Sequence, residues 1–183
     1  MVKSPMAKYV AFPRGINVGG HNKLKMEDLR RGFASWGFQN VKTLLASGNI
    51  IFEAQDSDPN VLAEIVGRRI AETFGMDVSV IVRTLNQIKR ILDTNPFDGV
   101  TITKQTRLYV SFLPGRHQSK LKFPYESLEK DFKILSATER EVYSVLTLNP
   151  QSGSIKAMGI LEKEFGRNIT TRNWNTITKI AHM

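Results

Sequence analysis

Cysteine is absent from this 183-residue chain, which removes disulfides, thiolate catalysis and cysteine-ligated zinc together. Long apolar runs are missing too, and nothing approaches the roughly 18 consecutive apolar residues that a membrane span needs. Residues 1–8 hold no extended apolar stretch, so no secretory signal is expected. These absences point to a cytoplasmic protein without a membrane partner. Histidine is scarce, with three in all. No His-x-x-x-His, paired-carboxylate or Ser/His/Asp pattern is present, so no metal is expected and no catalytic residue emerges. What is present is an apolar content of 41%, adequate for a core and too high for wholesale disorder.

Acid is lacking in particular places. The net charge is +9, and three windows hold no carboxylate at all. Residues 1–26 carry Lys3, Lys8, Arg14, Lys23 and Lys25. Residues 99–125 carry Lys104, Arg107, Arg116, Lys120 and Lys122, and residues 165–183 carry Arg167, Arg172 and Lys179. Such segregation predicts a positive face that attracts phosphates. The plainer alternative is that loops collect bases while helices need acids for i,i+4 pairs.

Residues 7–13 read as a strand that runs into a glycine-rich loop. Met26, Leu29, Phe33 and Trp36 recur at helical spacing, and Gly37 offers a left-handed stop. Residues 41–45 and 50–53 are short β-prone runs separated by Ala46-Ser47-Gly48-Asn49, which is hairpin chemistry. A second helix follows Pro59, with Gly75 as its cap, and residues 77–82 alternate as a strand. The order β-α-β-β-α-β is a split βαβ unit, whose strands pair as 4-1-3-2 in an antiparallel sheet. A linking helix over Leu85, Ile88, Ile91 and Leu92 stops at Asn95-Pro96. The pattern then restarts. Residues 107–113 read as a strand, 121–128 as a helix candidate, and 132–135 with 141–148 as a hairpin. A helix over Ile155, Met158, Leu161 and Phe165 ends at Gly166. An apolar-patterned stretch over residues 174–180 replaces or follows the last strand. The expectation is an α+β chain of two ferredoxin-like halves, residues 1–96 and 97–183, with helices on one face of each sheet.

The candidate site centres on Arg14-Gly15-Ile16-Asn17-Val18-Gly19-Gly20, followed by His21-Asn22-Lys23. Glycines and asparagines let backbone N–H groups approach an anion, while Arg14, Lys23 and Lys25 bring charge without a carboxylate. In the alternative, Asn17 satisfies nearby backbone groups and the glycines merely turn. Strand order 4-1-3-2 puts the turn at Ser47 and Asn49 beside Arg14 and Asn17, as a second wall. A further polar cluster holds Arg172, Asn173, Trp174 and Asn175 where a helix should start, with Thr or Asn as its N-cap. There Trp174 either stacks on a planar ligand or packs internally. His21 is the one histidine near a motif. Neither a Walker A order nor a Gly-x-Gly-x-x-Gly fingerprint is present, so no cofactor is assigned.

Several strings are more specific than these patterns. They are YVAFPRGINVGGHNKLKMEDLR (residues 9–30), LLASGNIIFE (44–53), NPF (95–97) and TTRNWNTITKI (170–180). They resemble, nearly end to end and in order, the bacterial domain-of-unknown-function family numbered 1697. The resemblance implies a fold of two ferredoxin-like halves and no named activity. Pro13 departs from it, standing where the family usually has an aliphatic residue, so the first strand is expected to end early or to lie at a sheet edge. Residues 151–156 break a Gly-x-Ser-Lys type stretch, and neither Ser154 nor Lys156 is assigned a role.

Three functions follow as expectations. The first is binding of a small anionic ligand bearing phosphate, a nucleotide included, at a hollow where the loop near Arg14 and the segment near Arg172 converge. The second is nucleic-acid binding through a basic face, since the element order is also that of the RNA-recognition motif. The third is a protein-interaction module that docks an acidic partner.

Overall fold

The computed structural model describes residues 5–18, 22–149 and 154–183. The chain divides into two compact units, Met1–Lys89 and Arg90–Met183. It is α+β, with two antiparallel sheets and five helices among the described residues.

The first unit runs β1 (Met6–Pro13), α1 (Met26–Ser35), β2 (Gln39–Leu44), β3 (Asn49–Gln55), α2 (Pro59–Phe74) and β4 (Val80–Thr84); α3 (Leu85–Asp93) follows across the division. Its sheet order is β2-β3-β1-β4, the expected split βαβ arrangement. Leu29 and Phe33 of α1 and Leu62, Val66 and Ile70 of α2 form one core with Tyr9, Ala11, Ile50, Phe52 and Val82 from the sheet. The Phe33 ring touches three others, with centroids 5.0 Å from Trp36, 5.5 Å from Phe38 and 5.4 Å from Phe52. Burying such a side chain contributes about 2–3 kcal/mol. Asp58 caps α2 by accepting from the Asn60 N–H at 2.7 Å, Pro59 fits the first turn, and Gly75 closes the helix in the left-handed region.

Both faces of β1 are buried, since Val10 and Phe12 are as inaccessible as Tyr9 and Ala11. That is why residues 9–12 read as an unbroken apolar run. Pro13 neither shortens the strand nor marks an edge, which corrects the expectation. It ends β1, a central strand flanked by β3 and β4. The next N–H, that of Arg14, donates to Ser79 O on the β4 side at 2.8 Å. Alternation turns Pro13 toward β3, where the ladder has already stopped at the Ala11–Ile50 pair, so no bond is missed. The fourth strand begins at Val80 rather than at residue 77.

The second unit runs β5 (Thr106–Phe112), β6 (Tyr125–Glu126), β7 (Phe132–Ala137), β8 (Glu141–Thr147), α4 (Ser154–Phe165), β9 (Thr170–Asn173) and α5 (Trp174–Ala181). The sheet order is β6-β7-β8-β5-β9. Four of these strands repeat the first sheet's order, with β7, β8, β5 and β9 standing for β2, β3, β1 and β4. The register repeats too: Tyr9, Val10, Ala11 and Phe12 pair with Thr84, Arg83, Val82 and Ile81. In the same way Tyr109, Val110, Ser111 and Phe112 pair with Asn173, Arg172, Thr171 and Thr170.

No helix forms over residues 121–128, contrary to expectation. Pro124 interrupts the segment, the short strand β6 takes its place, and Leu128 is 97% exposed, so the apolar spacing there defined no buried face. Leu121 and Phe123, as irregular chain, and Tyr125 of β6 pack instead against the core of Phe132, Ile134, Val142, Leu161 and Phe165. The terminal helix follows the last strand rather than replacing it.

Candidate anion-binding site

The loop between β1 and α1 is organised by one side chain. Asn17 sits at φ 56°, left-handed, and its N–H donates to Asn22 O at 3.1 Å. Its amide nitrogen donates to Leu24 O and to Ala46 O, both at 2.8 Å, while its Oδ1 accepts the Leu24 N–H at 2.8 Å. One asparagine therefore ties both ends of the loop together and pins it to the β2–β3 turn. Asn22, also left-handed at φ 47°, closes the loop further, with Nδ2 3.4 Å from Gly15 O.

The turn approaches from the other side. Gly48 lies at φ 75°, and a Cβ there would stand 3.6 Å from Cβ of the buried Ile16. Space is therefore adequate, and it is the backbone angle that demands glycine. Gly48→Ala is expected to cost about 1–2 kcal/mol through that strain, read as a lower urea midpoint. A neutral result would mean that the turn relaxes out of its left-handed conformation.

The loop and turn thus come together as the strand order predicts, yet not every residue faces outward. Asn17 spends its donors on the backbone, so it positions the loop rather than presenting an amide to a ligand. Asn49 is fully buried, donating to Leu44 O at 2.8 Å and to Ser47 Oγ at 3.2 Å. It supports the turn from inside and is not an open wall, and Ser47 is half-buried as its acceptor. Gly15, left-handed at φ 73°, faces water together with Val18, Asn22, Lys23 and Lys25, and Arg14 is half-buried. Lys23 and Lys25 form no ion pair among the described residues. The nearest acids in sequence are occupied, Glu27 by Arg30 and Asp28 by Arg31, each at 2.6 Å. The pairing with Arg30 holds the Glu27 carboxyl below its ordinary range. Gly19, Gly20 and His21 lie outside the described residues, as do residues 151–153.

The other cluster belongs to the second unit. Arg172 lies on β9, not at a helix start, and is buried. Its Nη1 donates to Thr170 Oγ1 at 2.7 Å and to Thr171 O at 3.0 Å. Burial depresses its guanidinium to about 10. The expected solvent-facing ligand group is therefore an internal one. Asn173 caps α5, accepting from the Asn175 N–H at 2.9 Å, and Asn175 is exposed. Trp174 is half-buried and packs on Phe97, with centroids 5.0 Å apart at 65°.

Burial thus disfavours the charged guanidinium, a cost that the folded state carries at neutral pH and that is relieved only as pH climbs above about 10. Arg172→Met keeps the stem while removing that charge. It is expected to leave the protein about 2 kcal/mol more stable than Arg172→Ala in urea unfolding at neutral pH. Equal losses would show that the guanidinium rather than its stem carries the stability. Arg83, buried more deeply still and bonded to Val82 O at 3.1 Å, occupies the matching register position in the first unit. It carried no motif, and only the repeat between the fourth strands would have found it.

The described parts of the signature strings at the loop, the SGN turn, NPF and TRNWNT are thus placed as turn, strand, cap and packing elements. A family model covers residues 6–143, described as a protein of unknown function, DUF1697. The chain belongs to the DUF1697 family. This DUF1697 chain is also similar in structure to the conserved bacterial protein SP0830 from Streptococcus pneumoniae. The TM-score is 0.71 at 24% identity over 97% of this chain and 98% of that one, so the two share a fold. No curated protein matches the sequence. Among the described residues of this DUF1697 protein no His, Asp and Glu cluster is fit to hold a metal ion, and no helix is long and apolar enough to cross a membrane.

Proposed function

We propose that this is a cytoplasmic protein that binds a small phosphate-bearing anion, nucleotides included, on the loop between β1 and α1. The observation that carries the reading is that Lys23 and Lys25 are exposed and form no ion pair among the described residues, on the same carboxylate-free segment as Arg14, where Asn17 ties Leu24 to the β2–β3 turn. A preorganised cationic loop loses little entropy when an anion arrives. The same set is poor in bases, so it suits binding and orienting better than proton transfer.

Melting temperature measured against ATP and inorganic pyrophosphate tests this. The wild type should gain stability with either ligand, and less of it as salt rises. Removing each exposed lysine should cost about 1 kcal/mol of binding, roughly fivefold in affinity. If neither ligand raises the melting temperature, or if Lys23→Ala with Lys25→Ala responds like the wild type, the reading fails.

Nucleic-acid binding is the alternative that the charge of +9 favours. It loses support at the sheet, because the face an RNA-recognition motif would use is apolar and buried at Val10, Phe12, Ile51 and Ile81.

A further inference from the structure

The second unit carries a cavity of about 570 Å³, to which the NPF string contributes Pro96. One wall is the turn after α3, over residues 96–101; the floor includes Leu135 of β7 with Val145 and Thr147 of β8. That turn is held rigidly. The Asp98 N–H donates to Asn95 O at 3.0 Å and the Val100 N–H to Phe97 O at 3.1 Å. Phe97 is buried, with its ring 6.1 Å from Tyr143 and 5.0 Å from Trp174. The NPF string thus acts as a peg that spans the turn over the sheet and leaves the space beside it open.

The lining has a particular chemistry. Val100, Leu135 and Val145 offer an apolar patch, and Thr101, Ser136 and Thr147 bring hydroxyls. Five charged residues also line it, and three are engaged nearby. Lys133 pairs with Glu126 at 3.2 Å, and Asp131 accepts from Ser127 Oγ at 2.9 Å. Asp98 and Lys130, of opposite sign, form no ion pair among the described residues. A hollow of this size, partly apolar and lined by a carboxylate and an ammonium that have no ion-pair partner among the described residues, matches a small molecule with both charges of its own.

We propose that this cavity binds a zwitterion with an apolar body, of the size of an apolar dipeptide, its ammonium toward Asp98 and its carboxylate toward Lys130. The lining residues all belong to the second unit, and binding there does not depend on the anion loop.

The test titrates the full chain with leucylleucine and follows backbone amides by NMR. Three matched probes separate the charges: leucylleucine, its N-acetyl form without the ammonium, and its amide without the carboxylate. Shifts are expected at residues 98–101, 133–135 and 145–147, with each blocked probe at least about fivefold weaker. Lys130→Ala should abolish the preference for the free acid over the amide, and Asp98→Asn the preference over the N-acetyl form. No shifts in those segments up to about 10 mM, or equal affinity for all three probes, overturns the proposal.

Discussion

Asn17→Ala is expected to destabilise the protein by about 3–4 kcal/mol in urea unfolding. Three bonds are lost with the side chain, from Leu24 N and to Leu24 O and Ala46 O. Each contributes about 1 kcal/mol net, and the Ala46 bond less, because water reaches it. The remainder is backbone strain, since alanine at φ 56° costs about 1 kcal/mol where asparagine is better tolerated. Asn17→Gly removes the same bonds without that strain and should therefore lose about 1 kcal/mol less than alanine. Asn17→Asp keeps the acceptor for Leu24 N but turns an oxygen toward two carbonyls, and should be no better than alanine. A loss below about 1 kcal/mol for Asn17→Ala would show that the loop keeps its shape without this side chain.

Phe97→Ala should cost about 3–5 kcal/mol, the range for emptying an aromatic site in a core. The ring is buried and edge-on to both Tyr143 and Trp174, so its removal leaves a hole between β8 and the start of α5. A double-mutant cycle with Trp174→Ala isolates the contact. A coupling of about 0.5–1.5 kcal/mol is expected for the ring pair. Strict additivity would mean that NPF and TRNWNT pack independently, and the turn over residues 96–101 would then need another support.

The first unit was legible because its signals are local. Leu29, Phe33 and Trp36 repeat at helical spacing, Asp58 and Pro59 announce the start of α2, and Gly75 ends it. The pairing of β1 with β3 follows once the order of elements is known, and so does the nearness of the loop to the β2–β3 turn. Direction of side chains was less legible. Asn17 and Asn49 look alike in the sequence, as polar residues in turns, and only the fold decides that one clamps a loop and the other is sealed inside.

The second unit hid more. Residues 121–128 have apolar spacing but pack as irregular chain around Pro124 and the short strand β6, and periodicity alone cannot tell those from a helix. Thr170 and Thr171 suit a strand as well as a cap, and the pairing with β5 decided for the strand, taking Arg172 into the sheet. The cavity near Phe97 is assembled from segments far apart in the chain, so no window of sequence contains it.

The most direct test of the anion loop is a titration of the full chain with inorganic pyrophosphate at low salt, followed at the backbone amides by NMR. The account predicts saturable shifts confined to residues 14–18, 22–25 and 45–48, where the loop and the turn are joined through Asn17. Shifts that miss those residues, or that spread evenly over cations of the second unit such as Lys104, Arg107 and Arg167, would contradict it.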